Sequence, residues 1–220
     1  MSTFNTVIQL IYVASASCFV LGLHLMNTPA TARRGNQVST GGMTAAIAAT
    51  LALIIHAGTI STTGWIVLAA GTLVGAGAGL YSARTVRMTA MPQLVSLFNA
   101  VGGGAAALVG IHDYMTLTSH GGGVPVSITV PTVLDVIIGA VTFSGSIIAA
   151  GKLQGMITSA PVTFPGARLV NLLLAAVALA AGGYLIGTPS PGILVVVIVA
   201  ALIFGVSMVM PIGEIGRAHV

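Results

Sequence analysis

Long apolar runs, separated by short polar or proline-containing breaks, follow one another along the chain. A helix needs about 20 apolar residues to cross the hydrocarbon core of a bilayer. Seven stretches approach that length, at about residues 5–26, 40–57, 62–82, 91–111, 131–150, 168–187 and 191–210. The breaks carry helix-ending residues such as Pro29, Pro92 and the glycines 121–123. The pattern therefore predicts an all-α fold, a polytopic bundle of about seven transmembrane helices.

Composition supports lipid as the solvent of this chain. Of its 220 residues, 56% are hydrophobic and 5% charged, and the mean hydropathy is +1.07. A soluble domain carries about 25% charged residues, so this chain has too few to cover a globule with polar surface. The net charge of +4 does not indicate a nucleic-acid partner, because the basic residues lie singly or in pairs between apolar runs. The start of the chain lacks a basic segment, so its first apolar run is predicted to be a span rather than a signal peptide.

The basic residues predict the direction of the helices. Every second loop contains them, at residues 27–39, 83–90 and 151–168, while the alternate loops 58–61, 112–130 and 188–190 contain no Lys or Arg. The residues concerned are Arg33, Arg34, Arg84, Arg87, Lys152 and Arg168. Because cytoplasmic loops carry the excess of Lys and Arg, the N-terminus is predicted outside and the C-terminus in the cytoplasm.

Small residues recur every four positions on two of the predicted helices. Gly71, Gly75 and Gly79 form one row on the third helix, and Gly102, Ala106 and Gly110 form another on the fourth. Small residues at this spacing let helix backbones approach closely in lipid. Both rows are therefore predicted to pack against other helices.

A few polar side chains fall inside the predicted spans. Asn99 lies near the middle of the fourth helix, with Ser96 one turn before it on the same face, and Thr142 and Ser146 share a face of the fifth helix while Ser144 lies on another. Intramembrane polar groups often mark an ion or proton pathway. They also serve as hydrogen-bonding glue between helices, or bond to the carbonyl four residues earlier. Both interpretations stay open from these residues alone.

The acidic and histidine residues lie near the predicted span ends or in the outer loop, where contact with interfacial water is the expected state; they are His24, His56, His112, Asp113, His120 and Asp135. Cys18 is the single cysteine, which excludes a disulfide within the chain. The sequence shows no Ser-His-Asp set, no paired carboxylates and no His/Cys metal cluster. We therefore predict no catalytic residue, bound cofactor or metal site in this chain.

Several segments resemble the beta subunits of proton-translocating NAD(P) transhydrogenases. Residues 86–95, VRMTAMPQLV, match the family's MTxMPxLV segment, and residues 138–146 followed by 151–155 match a second segment. Residues 34–36 and 165–171 also fit, and the similarities run in order from about residue 8 to Gly213. Single motifs of this kind are mostly helix and loop patterns, but their ordered combination is specific.

The resemblance implies a coupled function. Members of this family link hydride transfer between NADH and NADP⁺ to proton movement across the bacterial cytoplasmic (inner) membrane. The beta subunit ends in a soluble NADP(H)-binding domain, and an alpha subunit carries the NAD(H) domain, in a complex expected to dimerise. The membrane part conducts the proton, so we hypothesise that Asn99, at the position of a membrane histidine in many members, lines the proton pathway together with Ser96, Thr142, Ser144 and Ser146.

Two departures from the family's pattern bear on this expectation. Many members have a membrane histidine at the position of Asn99, and asparagine cannot titrate, so the resemblance implies a protonatable histidine on the partner alpha subunit. After Gly213 the string 214–220 resembles a sequencing-adapter translation, so Glu214, Arg217 and His219 receive no functional weight. We accordingly expect residues 1–213 to be a transmembrane proton-conducting domain without its NADP-binding domain, inactive by itself.

Two other functions remain as alternatives. An unrelated secondary transporter or channel would show inverted repeats and helices broken at mid-membrane; no repeat is evident, and the prolines fall at the ends of the predicted spans. A structural membrane subunit without a pathway would use Asn99 and the hydroxyls only as glue.

Overall fold

The computed structural model describes residues 3–119, 125–163 and 165–213. Within these ranges the chain forms seven α-helices and one 3-10 turn, Met88–Ala90, and no strand. The helices are α1 (Thr3–Leu25), α2 (Pro29–Ala57), α3 (Thr62–Thr85), α4 (Met91–Ser119), α5 (Val126–Leu153), α6 (Ala167–Gly187) and α7 (Pro191–Val209). All seven are long and apolar enough to cross a membrane, which confirms the predicted all-α class and the number of spans. The direction in which they cross stays a prediction.

Three helix ends differ from the sequence prediction. Helix α2 begins at Pro29 rather than near residue 40, so Arg33 and Arg34 lie in its first turns and not in a loop. Proline is favoured in the first helical turn because its missing N–H has no intrahelical partner there. Helix α4 continues to Ser119, and α5 already begins at Val126. Glycines 121–123, His120 and the string 214–220 lie outside the described residues.

Pro131 explains the late start predicted for α5. Proline usually breaks a helix because it lacks an N–H and its ring clashes with the preceding turn. Here Pro131 lies inside the helix, in its second turn. The hydroxyls of Thr129 and Thr132 donate to the carbonyls of Pro125 and Ile128, at 3.2 and 2.9 Å. The backbone of this first part of α5 is helical despite the proline.

The chain divides into two compact units, residues 1–79 and 80–220. In the first unit, α1 and α2 pack as an antiparallel hairpin. The buried residues recur every seven positions: Ile8, Ser15 and Gly22 on α1, and Gly35, Gly42 and Ala49 on α2. A seven-residue repeat is typical of left-handed coiled-coil packing. This small-residue seam had no counterpart in the sequence prediction, which placed Gly35 in a loop.

The predicted glycine row on α3 does not pack within the described part of the chain. Helix α3 contains no buried residue. A Cβ built at Gly71, Gly75 or Gly79 would meet no atom within 4 Å. The packing predicted for this row stays a prediction.

The second unit is built around α5, which packs against α4, α6 and α7. Its apolar core joins residues of all four helices: Tyr114, Val133, Val136, Leu185, Leu194 and Val197. The Tyr114 hydroxyl donates to the carbonyl of Leu185 at 3.2 Å, which satisfies the one polar atom of this side chain. A smaller cluster of Ala107, Ala140 and Ala201 lies where α4, α5 and α7 approach closely.

The small residues that pack α4 against α5 overlap only in part with the row singled out in the sequence. Gly102 was predicted to pack against another helix, with no partner helix named, and a Cβ there would meet nothing within 4 Å. The packed positions are Gly103, Ala107 and Gly110, and a Cβ at Gly110 would lie 2.9 Å from Cγ2 of Val136. A contact face on a helix follows alternating steps of three and four, so a strict four-residue row drifts off it. Gly110 lies in this contact, while the packing predicted for Gly102 stays a prediction.

Lys152, predicted to lie in a basic loop, is a buried residue of the last turn of α5, only 6% exposed. Its ammonium donates to the carbonyls of Met210 and Ile212, at 2.6 and 2.8 Å. These carbonyls follow the last residues of α7, where unpaired C=O groups concentrate negative charge. Lys152 therefore ties the end of α5 to the end of α7.

Replacing this lysine is expected to loosen that junction. Lys152→Met keeps most of the apolar stem but removes two charge-assisted hydrogen bonds, each worth about 1.5–3 kcal/mol. The melting temperature of the purified protein should fall. Arg168→Met, which changes an exposed cation at the start of α6, is the matched control. Equal melting temperatures for the two variants would show that the hydrogen bonds of Lys152 do not stabilise the junction of α5 and α7.

Candidate functional site

The polar residues of α4 and α5 meet in one cluster. Ser96 and Asn99 lie on the face of α4 that turns towards α5. The Asn99 amide donates from Nδ2 to Oγ of Ser146, at 2.8 Å. The Ser96 hydroxyl donates to the backbone carbonyl of the same Ser146, at 3.0 Å. Two side chains of α4 thus converge on one residue of α5.

Glycine makes this approach of α4 to α5 possible. A Cβ at Gly103, one turn after Asn99, would lie 2.8 Å from Cβ and Cγ2 of Thr142. A Cβ at Gly139 would lie 2.5 Å from the backbone nitrogen of Ala107 and 2.7 Å from the carbonyl oxygen of Gly103. Only a residue without a side chain fits at these positions. The close backbone contact brings Asn99 within hydrogen-bonding distance of Ser146.

A groove of about 380 Å³ runs beside the cluster, between α4, α5 and α7. Its polar lining comes from Ser96, Asn99, Thr142 and Ser146, and its apolar lining includes Val141, Met208 and Val209. A water molecule occupies about 30 Å³ in the liquid, so several could fit. Hydroxyl and amide groups both donate and accept hydrogen bonds without titrating near neutral pH. The arrangement can hold water inside an otherwise apolar unit.

Ser144 lies apart from this cluster, although it was expected on the same pathway. Its hydroxyl donates to the carbonyl of Ala140 in its own helix, at 3.1 Å. The side chain is buried at the contact between α5 and α7, directly against Gly205. Residues two positions apart in a helix point to nearly opposite sides, so Ser144 and Ser146 reach different neighbours.

The acidic and histidine residues within the described ranges lie outside the groove. Asp113 and His112 are exposed near the end of α4, while Asp135 is partly buried in α5. His24 and His56 lie in the last turns of α1 and α2, and the His56 ring is 4.2 Å from that of Phe4. None of these side chains lines the groove beside Asn99.

Two polar features of the second unit were missed from the sequence. Gln93, one turn before Ser96 on α4, donates from Nε2 to the carbonyl of Leu153 at 2.9 Å. Ser207 of α7 donates to Oδ1 of Asn171 on α6. The three-residue spacing from Gln93 to Ser96 and Asn99 was a signal in the sequence that could have drawn attention to Gln93. No sequence pattern pairs Asn171 with Ser207.

Comparison with known proteins places the chain in a family. Residues 8–216 match the family described as NAD(P) transhydrogenase beta subunit. The chain belongs to this family. A curated relative, the NAD(P) transhydrogenase subunit beta of Rhodospirillum rubrum, is 39% identical over 158 residues, and a second from a named strain of that species matches equally. The match covers 70% of this chain and 33% of each relative, so the chain spans about a third of the length of these relatives.

Family membership agrees with the resemblance seen in the sequence. The segment 86–95 that carried it leads directly into the part of α4 that bears Ser96 and Asn99. Ser146 is the last residue of the segment 138–146, while Ser96 and Asn99 follow directly after the segment 86–95.

Proposed function

We propose that this chain is the membrane part of a transhydrogenase that couples hydride transfer between NADH and NADP⁺ to proton translocation. The proposal rests on membership of the beta-subunit family and on one structural observation. Asn99, Ser96 and Ser146 form a hydrogen-bonded cluster beside a groove in a unit whose other surfaces are mostly apolar. Polar groups in a membrane span are costly unless they have a function or a partner.

The cluster would carry the proton through water rather than by titrating. Amides and hydroxyls hold and orient water molecules, and a proton passes when each water accepts one proton and releases another. Asn99, Ser96, Thr142 and Ser146 would therefore line the pathway. Asn99 is exposed on the surface of the second unit, so a helix of an alpha subunit is the proposed cover, and the titrating group would belong to it.

The nucleotides would bind elsewhere in the complex. The groove beside Asn99 is lined by uncharged side chains and has no Lys or Arg among its lining residues. A pyrophosphate calls for cationic side chains or a row of free backbone N–H groups. The groove does not fit a dinucleotide. NADP(H) and NAD(H) would occupy soluble domains of the complete, dimeric assembly.

The charge pattern supports a direction in the membrane. In the second unit, Arg87, Lys152 and Arg168 all lie at the end where α4 and α6 begin and α5 and α7 finish. This end would face the cytoplasm of a bacterium whose inner membrane holds the protein, with the N-terminus outside. A membrane-impermeant thiol probe on Arg87→Cys, applied to vesicles of either orientation, tests this; labelling only from the periplasmic side would contradict it.

The two serines of α5 provide a test of the pathway. Ser146→Ala removes the acceptor for the Asn99 amide, whereas Ser144→Ala removes a hydroxyl that bonds only within its own helix. In the complete complex reconstituted into liposomes, proton uptake driven by NADPH and NAD⁺ should fall about tenfold in Ser146→Ala, since about 1.4 kcal/mol is a factor of ten in rate. Ser144→Ala should pump normally, and equal rates in the two variants would overturn the assignment.

A further inference from the structure

Gln93 contains a buried acceptor that the described residues leave unsatisfied. Its Nε2 donates to the carbonyl of Leu153, but its Oε1 is buried and has no hydrogen-bond partner among residues 3–119, 125–163 and 165–213. Leaving a buried carbonyl oxygen unpaired costs about 1–3 kcal/mol. Proteins usually satisfy such an atom with an ordered water that also bonds to other polar groups nearby.

Gln93 itself lines neither the groove between α4, α5 and α7 nor a second groove along α4, but it lies one turn before Ser96 on α4 and donates to Leu153, a lining residue of the second groove. Gln93 and Ser96 are three residues apart, as are Ser96 and Asn99, so each pair occupies neighbouring positions on the surface of α4. The second groove, of about 670 Å³, follows this part of the helix from Met88 to Asn99 and reaches Leu153, the residue to which Gln93 donates. Ser96 and Asn99 line this groove as well as the one between α4, α5 and α7.

Gln93 lies near the basic end of the second unit, the end that carries Arg87, Lys152 and Arg168. Leu153 is the last residue of α5, next to Lys152, whose ammonium bonds to the carbonyls that follow α7. Gln93 itself is the third residue of α4. A water at Gln93 would therefore lie between the hydroxyl of Ser96 and the end of the helices, where bulk water begins.

We propose that Gln93 binds a water molecule that extends the proton pathway from Asn99 and Ser96 to the basic end of the unit. This inference rests on the proposed function and names the exit of the same pathway. The Oε1 atom accepts a hydrogen bond from the water and remains uncharged. Each proton that arrives from the Ser96 side protonates this water, which releases a different proton towards the aqueous phase. Gln93 is a positioning residue, because it holds the water and does not exchange the proton.

Thiol labelling of the complete complex tests whether water reaches this position. On a Cys18→Ser background, Gln93→Cys and Ser96→Cys should react with a small water-soluble methanethiosulfonate at least about tenfold faster than Ala100→Cys, because only a hydrated thiol forms the reactive thiolate. Ala100 lies on the same helix and is only 1% exposed, so Ala100→Cys is the control for a position that water does not reach. A rate for Gln93→Cys as low as that of Ala100→Cys would show that a neighbouring subunit covers the site, and would overturn the proposal.

A pair of variants separates the water site from a structural role of the side chain. Gln93→Met and Gln93→Glu both lose the donor to Leu153, but only Gln93→Glu keeps an acceptor at the position of Oε1. We expect proton uptake to fall about tenfold in Gln93→Met and to recover at least partly in Gln93→Glu, with similar melting temperatures; about 1.4 kcal/mol corresponds to this factor. Equal pumping in both variants would contradict the water site.

The result for Asn99→Leu separates a failure of the proposed pathway from a failure of its proposed exit at Gln93. If Asn99→Leu stops pumping while Gln93→Met pumps normally, the pathway stands and its exit at Gln93 is wrong. If Asn99→Leu pumps normally, the pathway through the cluster is wrong. The labelling rate at Gln93→Cys then still decides whether water binds there, because it is measured without turnover.

Discussion

Replacing Asn99 by leucine is expected to reduce proton translocation by about tenfold or more. Leucine has a similar volume but neither donates to Ser146 nor binds water, and an unpaired polar group in an apolar site costs about 1–3 kcal/mol. The loss should appear as slower acidification of liposomes that contain the complete complex. Binding of NADP(H) should be unchanged, because the groove beside Asn99 is not a nucleotide site.

Phe98→Leu is the matched control for this variant. Phe98 is the preceding residue on α4, is 44% exposed and makes no hydrogen bond to α5. Its replacement changes the apolar surface without touching the cluster, so pumping should be retained. Normal pumping by Asn99→Leu would mean that the amide is only glue between α4 and α5. A rate lost equally in Phe98→Leu would indicate a defect in the fold or assembly instead.

Adding one methyl group at Gly139 is expected to destabilise the second unit strongly. In Gly139→Ala the new Cβ would lie 2.5 Å from the nitrogen of Ala107 and 2.7 Å from the oxygen of Gly103. Both are backbone atoms, so the clash cannot be relieved by a side-chain rotation and α4 must move away from α5. Overpacking of a dense contact costs about 1–3 kcal/mol. The melting temperature in detergent should fall, and the Asn99–Ser146 bond should break with it.

Gly102→Ala is the contrasting variant, because it adds a methyl group to α4 without a clash. Gly102 is exposed and a Cβ there meets nothing within 4 Å. Alanine is a better helix former than glycine by about 1 kcal/mol, so this variant should be as stable as the parent protein or more so. If Gly102→Ala destabilises the protein while Gly139→Ala does not, the α4–α5 register described here is wrong.

The number and approximate location of the helices could be predicted because apolar length is a local property. The alternation of charged loops and the helix-ending residues can likewise be recognised from neighbouring positions alone. The all-α class follows from these local signals. The predicted starts of α2 and α5 were wrong because local polar and proline residues suggested loops where the structure has helix. Polar residues before residue 40 suggested a loop, yet Gly35 packs in the seam with α1 and α2 begins at Pro29. Pro131 suggested a helix start, yet α5 continues through it.

The candidate site was partly predictable for a similar reason. The three-residue spacing of Ser96 and Asn99 put them on one side of α4 before any partner was known. Which residue of α5 they contact was not predictable, since Thr142, Ser144 and Ser146 are equally plausible in sequence. The structure selects Ser146 as the acceptor, places Thr142 against Gly103 and turns Ser144 towards Gly205.

The sequence by itself determined that this protein is an all-α membrane chain of the transhydrogenase beta-subunit family, with polar residues inside two of its spans. Hydropathy, charge and motif order act along the chain and need no partner to be recognised. Only the tertiary structure decided the contacts: the register of α4 on α5, the burial of Lys152 at the end of α7 and the unpaired oxygen of Gln93. These depend on how far two backbones approach and at what rotation, and in lipid that is decided by the fit of small residues across the interface.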